Sequence, residues 1–553
     1  MHEGRVYYLG QIGSIVRVPH GSVDLLGAVS MVGIAELNPP LPPTNITSQG
    51  SRWIEFQLLG QLDGTGRFQR GVSTYPALDD PVHFATQETV RAVYPPAGSG
   101  WIRIGVMSTS ANEPIAIDLA RLVLRHSLVV GATGSGKSST VASIIQSTLK
   151  SGYGRANIVV IDPHGEYAKA MESWAAVRSV TGGESMLSIP YWALPFTDFA
   201  RVFATGSETA AARMRLQDLI VAERRAFASK AKWLDVPAED ISADTPIPYD
   251  LRRVWYDLDF ESHATYPHQN GQGSPMVANA GDAQTLTPAT FQPYALGSAA
   301  PFRGPQYGAC TALADRISFR LKDPRFSFLR VEWPDPTSSR DPLASCVQDW
   351  LGGDKGVSVL DFSGVASEAT DVAVGVVLSL LFEVAVSSPP NSGIGRARPL
   401  LIVLEEAHRY LGSKPAASGV LAADAANRVA REGRKYGVGL MAVTQRPTEL
   451  SDVILSQVGT HIALRLTNSS DQSAVKTSLP DAVANMAEAL PSLRNGEALV
   501  AGEAIPLPTR VLIDRPSPAP RADDPSLESW KGHAEPNDVA EALQAWRHRS
   551  RAG

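Results

Sequence analysis

The stretch SLVVGATGSGKSS, residues 127–139, decides the fold of this chain. Residues 131–138 match the phosphate-binding pattern G-x-x-x-x-G-K-[ST] at every fixed position, after an apolar run and before a helical segment. In such a loop, successive backbone N–H groups and the N-terminus of the helix surround the β-phosphate of a nucleotide. Lys137 would neutralise the β- and γ-phosphates, and the Ser138 hydroxyl would bind Mg²⁺. The pattern therefore predicts a nucleotide site at Gly131, Thr133, Gly134, Ser135, Gly136, Lys137, Ser138 and Ser139.

Compact apolar runs of strand length recur from Leu128 onward. They lie at 128–130, 157–161, 357–360, 400–404, 439–444 and 461–466, and helical segments at 138–150, 369–386 and 422–435 lie between several of them. Continuous apolar runs are typical of strands that are covered on both faces. Their alternation with helices predicts an α/β fold with a parallel sheet.

Two adjacent carboxylates, Glu405 and Glu406, follow the apolar run 400–404. Ligands of open α/β sheets bind at the C-terminal ends of the strands, so we expect both acids to face the nucleotide where the chain turns. Glu405 would hold the Mg²⁺ shell, and Glu406 would orient and polarise the attacking water. The pair favours a motor-type ATPase that hydrolyses its nucleotide. The alternative is a pair of surface acids at the end of a strand.

A basic stretch precedes the run 439–444, which ends at Gln445. Between Arg428 and Tyr436, four side chains are positive and one is negative. A cation aimed at the γ-phosphate stabilises the charge of phosphoryl transfer, and a cation supplied by a neighbouring subunit makes hydrolysis depend on assembly. Gln445, at a strand end beside the nucleotide, suits a sensor of γ-phosphate loss. For any one of these arginines, the alternative is a solvated helix face.

The first 115 residues differ in texture from the rest. Short β-branched or aromatic runs at 6–9, 14–18, 29–37 and 53–59 are separated by Gly, Pro and Asn clusters. Many short strands with turn residues between them favour a small β-barrel. We interpret residues 1–115 as an N-terminal β-barrel that serves assembly.

A further segment, residues 201–350, interrupts the predicted sheet as a mainly helical insertion. It contains a predicted helix at 207–229 with Ser207 as its N-cap, and an irregular stretch, 263–308, whose only charges are Asp282 and Arg303. This stretch is either a surface excursion or a segment that orders against a neighbouring subunit or partner. The ATPase core then comprises residues 116–200 and 351–515. Residues 516–553 form a Pro-rich linker and a terminal helix at 537–548.

The overall composition excludes several classes of protein. With 44% hydrophobic and 19% charged residues the chain is globular. Two cysteines, Cys310 and Cys346, cannot form a disulfide framework or a four-cysteine zinc site, which agrees with a cytoplasmic location. We find no secretory signal and no run of 18 consecutive apolar residues, so no membrane-spanning helix is expected. The net charge of −6 argues against a generally basic nucleic-acid coat, but it leaves room for a basic stripe inside a pore.

Five stretches, in this order, resemble the HerA family of hexameric DNA-translocating ATPases. They are GATGSGKS (131–138), DPHGEY (162–167), LDFSG (360–364), EEAH (405–408) and REGRKYGVGLMAVTQRPT (431–448). The motifs span about residues 115–515. The resemblance implies a RecA-like P-loop ATPase core, and the N-terminal region is similar, more weakly, to the small assembly barrel of that family.

The resemblance also implies roles for individual residues. Carried over by motif, Lys137 and Ser138 are the nucleotide pair, and Glu405 and Glu406 are the Mg²⁺ and water pair.

Residues outside these two pairs are implied in the same way. Arg431 resembles the trans-acting arginine of the family and Gln445 resembles its sensor. Arg125 occupies a place where the family also has a functional arginine. Asp162 and His164 lie beside the nucleotide in this interpretation, and the alternative for both is a turn that caps the next helix.

The function implied by the resemblance is that of a DNA motor. A homo-hexameric ring would use ATP and Mg²⁺ at subunit interfaces to move duplex DNA through a central channel. Family members act with a second protein, often a nuclease, and related bacterial ATPases pair with effectors such as NAD-consuming enzymes in defence against phage. Outside the ATPase motifs, the sequence has no clustered acids or histidine pairs typical of a nuclease, so we expect a separate effector. The alternatives are a conjugation or secretion motor and an ATP-binding scaffold with little motor activity.

Overall fold

A computed structural model describes residues 12–34, 52–109, 113–180, 186–204, 206, 209–295, 299–329, 334–391, 393–413, 419–479, 484–521 and 539–552. The strands in these ranges are β1 Ile15–His20, β2 Val23–Ile34, β3 Arg52–Leu62, β4 Phe68–Arg70, β5 His83–Phe84, β6 Trp101–Met107, β7 Pro114–Asp118, β8 Ser127–Val130, β9 Asn157–Asp162, β10 Ala176–Ser179, β11 Thr265–Tyr266, β12 Val277–Asn279, β13 Thr290–Phe291, β14 Phe302–Arg303, β15 Val357–Asp361, β16 Leu400–Leu404, β17 Val438–Thr444, β18 Thr460–Leu464, β19 Glu497–Gly502 and β20 Thr509–Ile513.

The helices of the same ranges lie mainly between these strands. They are α1 Gln87–Val93, α2 Leu119–Leu124, α3 Lys137–Lys150, α4 Tyr167–Ala170, α5 Phe196–Phe203, α6 Ala210–Ala228, α7 Leu251–His263, α8 Thr311–Lys322, α9 Pro342–Trp350, α10 Ser367–Ser387, α11 His408–Leu411, α12 Val420–Glu432, α13 Asp452–Gln457, α14 Ser469–Ser478 and α15 Val539–Ala552.

One large sheet forms the centre of the fold, and its strand order is β10-β15-β9-β16-β17-β8-β18-β19-β20-β6-β7. Neighbours from β10 to β18 pair in parallel, which confirms the predicted parallel α/β sheet. Every residue of β16 is buried, as its continuous apolar sequence predicts for a strand covered on both faces. Because these strands run in one direction, the residues that follow β8, β9, β16 and β17 lie on the same side of the sheet, at the C-terminal ends of its strands.

The other end of this sheet is antiparallel. From β18 onward, each strand pairs with its neighbour in the opposite direction through β19, β20, β6 and β7. The predicted boundary of the N-terminal region at residue 115 falls inside β7, which pairs with β6 in the central sheet. The pairing partner of β6 is β20, about 400 residues away in sequence, and local patterning carries no information on such a contact.

Ahead of β6, a separate antiparallel sheet has the order β4-β3-β2-β1-β5. In the described residues β4 and β5 pair on one side only, so the order is open and the predicted barrel is not confirmed. The predicted run 6–9 and the end of the run 29–37 lie outside the described residues.

The insertion contains more order than its sequence predicts. Helix α6 begins after Thr209, whose hydroxyl accepts a hydrogen bond from the Ala212 N–H (3.2 Å), whereas the predicted N-cap Ser207 lies outside the described residues. The stretch 263–308 contains two small antiparallel ladders, β11 with β14 and β12 with β13. The Arg303 guanidinium lies 4.0 Å from the ring centroid of Tyr294, which gives this nearly uncharged stretch an internal packing contact.

Helix α10 is the longest apolar element of the core. Among the described residues, this is the helix that is long and apolar enough to cross a membrane. Of its most apolar 18-residue segment, 83% is buried inside the protein. A Cβ on Gly375 would lie 2.7 Å from the Ala422 nitrogen, so glycine permits α10 to pack closely against α12. The protein interior thus accounts for the apolar character of α10.

Candidate nucleotide site

The loop between β8 and α3 has the backbone shape that its glycines allow. Gly134 and Gly136 adopt φ values of +73° and +103°, in the left-handed region that residues with a Cβ rarely adopt. A Cβ on Gly131 would collide with the Ser135 hydroxyl. The predicted loop therefore forms in front of α3, with Lys137 and Ser138 in the first turn of that helix.

Internal hydrogen bonds hold this loop in place. The backbone N–H and the hydroxyl of Ser135 both donate to the Ala132 carbonyl, at 3.1 and 2.7 Å. The Ala132 N–H donates to the Arg465 carbonyl (2.9 Å) at the end of β18. The Lys137 ammonium lies 3.4 Å from the Ala132 carbonyl, so it arches over the loop where phosphate oxygens would lie.

Glu405 lies at the end of β16 and is buried. The Tyr167 hydroxyl donates a hydrogen bond to its carboxylate. Burial raises the pKa of Glu405 to about 7, and the nearby carboxylates of Glu166 and Asp162 also raise it. The hydrogen bond from Tyr167 and the charge of Lys137 lower this pKa. A buried carboxylate beside other acids is stabilised by a cation.

Glu406 follows Glu405 but faces other partners, because its backbone adopts φ +49°, an uncommon value for a residue with a side chain. One of its carboxylate oxygens lies 3.8 Å from His164 Nε2 and the other lies 3.2 Å from His408 Nδ1. His408 Nδ1 also lies 3.1 Å from the Thr444 hydroxyl. The turn after β16 thus directs the two adjacent acids to different surroundings at one edge of the sheet.

Asp162 lies at the end of β9 and is buried, and its carboxylate binds backbone N–H groups. Its carboxylate accepts hydrogen bonds from the N–H groups of His164 (3.2 Å), Gly165 (2.9 Å) and Tyr167 (2.9 Å). These contacts are those of a residue that caps a turn, the alternative that the sequence left open. This turn after β9 places His164 near Glu406 and Tyr167 against Glu405. Asp162 therefore acts on the site indirectly, by holding the turn.

Gln445 lies next to the loop, as its position after β17 predicts. The Thr133 hydroxyl donates a hydrogen bond to the Gln445 side-chain oxygen (2.7 Å). Gln445 therefore contacts the loop from the end of the strand next to β8.

The predicted arginines lie away from the phosphate loop, at the N-terminal ends of the parallel strands. Arg125 is the C-cap of α2 and precedes β8, while Arg431 lies in the last turn of α12. Both line a cavity of about 610 Å³, whose other charged lining residues are Arg434, Lys435 and Glu503. The Arg125 Nε lies 3.4 Å from a Glu503 carboxylate oxygen. We call these residues, with His126, the arginine cavity.

Two family models match this chain. The family model described as "Helicase HerA, central domain" matches residues 102–381, and the one described as "Helicase HerA-like C-terminal" matches residues 346–513. The chain belongs to the HerA helicase family. It is accordingly an ATP-hydrolysing enzyme of the helicase or translocase type.

Relatives of this HerA-family protein cover most of its length. The DNA double-strand break repair helicase HerA of Sulfurisphaera tokodaii is 27% identical over 82% of this chain and 77% of its own. That of Sulfolobus acidocaldarius is 26% identical over 89% of this chain and 84% of its own. Among solved structures, VirB4 of Thermoanaerobacter pseudethanolicus aligns with 76% of this chain and 97% of its own, at 15% identity and a TM-score of 0.47.

Two contacts in this HerA-family site involve residues to which the sequence assigned no role. Tyr167 and His408 contact the two acids, and both stand inside motifs that had been recognised, DPHGEY and EEAH. Their position next to motif residues was the available signal. Which acid each would contact depends on the turns after β9 and β16.

Proposed function

We propose that this protein is a ring-forming, ATP-driven translocase of duplex DNA that hydrolyses ATP between subunits. The observation that carries this proposal is the separation of the phosphate loop from the arginine cavity. Arg125 precedes β8 and Gly131 follows it, while Lys435 precedes β17 and Gln445 follows it. The two halves of the machinery thus lie at opposite ends of the same parallel strands.

This separation exceeds the reach of a side chain. The seven residues of β17 extend over about 23 Å, and an extended arginine reaches only a fraction of that length. Arg431 and Arg125 therefore cannot reach the nucleotide of their own subunit in this structure. A neighbouring subunit placed edge to edge would receive them at its phosphates, where an arginine stabilises the charge of phosphoryl transfer. We infer a closed homo-hexameric ring.

The residues around Lys137 suit a magnesium nucleotide. Ser138 and Glu405 supply hard oxygen ligands, and the raised pKa of Glu405 reflects a buried acid cluster that a divalent cation would stabilise. Bound Mg²⁺ would neutralise charge on the β- and γ-phosphate oxygens. Lys137 and the loop N–H groups would hold the phosphates, Glu406 would orient the water, and Gln445 would report the state of the γ-phosphate.

The proposed partners follow from charge and from relatives. Relatives named as DNA double-strand break repair helicases support duplex DNA as the substrate. With a net charge of −6, DNA contacts would come from a few cations repeated around the ring. Arg434 and Lys435 lie in the arginine cavity and would serve a neighbouring nucleotide, which leaves other loops for DNA. We propose a cytoplasmic enzyme with a separate nuclease or NAD-consuming effector, in an anti-phage role.

Mixing two inactive variants tests the interface mechanism. Arg431→Ala subunits keep an intact Glu406, and Glu406→Gln subunits keep an intact Arg431. Mixed rings should regain ATPase activity at interfaces that combine the two intact halves, whereas each variant alone should be inactive. Arg428→Ala, on the same helix but paired with Glu383, is the matched control and should retain activity alone. Absence of recovery in rings shown to exchange subunits would contradict trans action.

A second measurement separates a motor from a scaffold. A translocase should hydrolyse ATP faster in the presence of long duplex DNA, because each step along DNA is coupled to turnover. A scaffold should show the same slow rate with and without DNA. Equal rates for the ATPase alone, and again with its effector present, would favour the scaffold.

A further inference from the structure

His126 lines the cavity together with the two arginines and has no role in the proposed chemistry. It follows Arg125 directly, is 5% exposed, and adopts φ +51°, in the left-handed region that costs a residue with a Cβ about 1 kcal/mol or more. Such a buried, strained conformation requires contacts that stabilise it.

The His126 ring contacts the backbone of two other elements. The Leu440 backbone N–H, in β17, donates to His126 Nδ1 at 3.0 Å. The backbone carbonyl of Ala430, in the last turn of α12, faces the ring and acts to raise the pKa of His126. Because Nδ1 accepts, the proton of the neutral ring lies on Nε2. Burial lowers the pKa of His126 to about 4, so the ring is neutral at physiological pH and keeps this arrangement.

The main chain on the other side of His126 is also clamped. The Gly459 N–H donates to the Arg125 carbonyl (2.7 Å) and approaches the His126 carbonyl (3.2 Å). A Cβ on Gly459 would lie 2.8 Å from Arg125 Cβ, so only glycine allows this approach. The Arg125 side chain meets Glu503, whose own N–H donates to the Gly459 carbonyl (2.7 Å).

These contacts connect the two arginines through one side chain. Arg125 is the residue before His126, and Arg431 is the residue after Ala430, whose carbonyl faces the His126 ring. In the described part of the chain, Arg431 has no ion-pair partner of its own, so its helix end provides its positioning.

We propose that His126 is a positioning residue that holds Arg125 and Arg431 at a set separation, so that both reach the same phosphate group of a neighbouring subunit. This inference rests on the proposed trans action of the arginines and extends it. The ring fastens the end of α12 to the α2–β8 turn, and it does so without adding charge to a cavity that already holds four cations and one anion.

Two substitutions separate positioning from folding. Asn tolerates the left-handed region and offers an acceptor near Nδ1 for Leu440, but it is too short to reach Ala430. Gln is long enough to donate to Ala430. We expect His126→Asn to lower kcat by roughly 10- to 100-fold with KM for ATP unchanged, since misplacement by about 1 Å has effects of this order. His126→Gln should retain more of the activity. His461→Asn, at a buried histidine of β18 outside the cavity, is the matched control and should keep kcat.

The decisive test uses the mixing assay. His126→Asn rings mixed with Glu406→Gln rings should regain turnover, because the first subunit supplies an intact nucleotide site and the second an intact cavity. His126→Asn mixed with Arg431→Ala should regain none, because both lack the same half. If His126→Asn does not assemble, His126→Gly, which suits the left-handed backbone and removes the ring, takes its place in both mixtures.

The possible failures have different meanings. Recovery in the His126–Arg431 mixture, or wild-type kcat in His126→Asn, would overturn the positioning role. The role would also be overturned if His126→Asn does not recover with Glu406→Gln although Arg431→Ala does. In that case His126 would act on the nucleotide site of its own subunit. If Arg431→Ala and Glu406→Gln do not complement each other, the interface mechanism itself is wrong.

Discussion

The Tyr167 hydroxyl donates a hydrogen bond to the Glu405 carboxylate, and both groups are buried. The contact joins the turn after β9 to the end of β16, two neighbouring strands of the parallel sheet. It orients the acid proposed to hold Mg²⁺, and the Asp162 carboxylate holds the backbone from which Tyr167 extends. The proposed metal site thus depends on a residue that is not one of its own ligands.

Tyr167→Phe should therefore weaken the response to Mg²⁺. Loss of the hydroxyl removes a partner that orients Glu405, and such outer contacts are worth about 10- to 100-fold in metal affinity or activity. We expect the Mg²⁺ concentration for half-maximal ATPase to rise, with ATP affinity measured in EDTA unchanged. Tyr153→Phe, at an exposed tyrosine, is the control. An unchanged Mg²⁺ titration would contradict the role of Tyr167.

Lys137→Ala should abolish nucleotide binding or turnover. The substitution removes the ammonium that arches over the phosphate loop, and the phosphates lose their main counter-charge. Binding of a fluorescent ATP analogue and steady-state hydrolysis measure the two effects. Lys150→Ala, at the other end of α3, should behave as the wild type. Wild-type binding and hydrolysis in Lys137→Ala would refute the site.

Glu406→Gln should bind ATP and retain it without hydrolysis. The amide keeps the shape of the carboxylate, but it cannot polarise water, and loss of one such group lowers the rate about 10²- to 10⁴-fold. Single-turnover hydrolysis and filter binding of ATP test the two halves of the prediction. Loss of ATP binding would instead make Glu406 structural, through its contacts with His164 and His408.

Duplex DNA binding should depend steeply on salt and little on sequence. Phosphate contacts release counterions, so the logarithm of the affinity should fall linearly with the logarithm of the salt concentration. A ring that presents several cations should give a slope that corresponds to many phosphates, and a single subunit should give a shallow one. Fluorescence anisotropy with a non-hydrolysable ATP analogue measures the slope. No binding at low salt, with and without the effector, would contradict the DNA motor.

The stability of the fold should fall in mild acid through His461. Burial lowers its pKa from 6.5 to about 4, and neither ring nitrogen has a hydrogen-bond partner in the described residues. The unfolded chain therefore binds a proton between pH 6.5 and 4 that the folded chain refuses, so stability is full above pH 6.5 and declines below it. From pH 7.5 to 5.5 the loss is about 1 kcal/mol for this group. In His461→Asn, the urea midpoint should fall less over this range than in the wild type.

Several elements could be predicted from sequence because their signals are local. The phosphate loop, the strand Leu400–Leu404 and the acids behind it depend on spacing within a few residues, and the structure has β16 at the predicted bounds. The antiparallel half of the sheet was missed, since β6 meets β20 from far along the chain. The ladders within 263–308 were also missed, because strands of two or three residues leave no periodic pattern.

The sequence alone predicted a phosphate-binding loop at Gly131–Ser138 and two acids after a buried strand, because glycine conformation, strand burial and charge are properties of short segments. Only the tertiary structure decided that Arg125 and Arg431 share a cavity at the N-terminal ends of the parallel strands, and that His126 lines it with them. Their elements are about 300 residues apart in sequence, and they meet because α2 and α12 pack where parallel strands β8 and β17 begin. Strand direction separates the two ends of the strands, so it is the sheet, and no local motif, that keeps these arginines away from the phosphate loop of their own subunit.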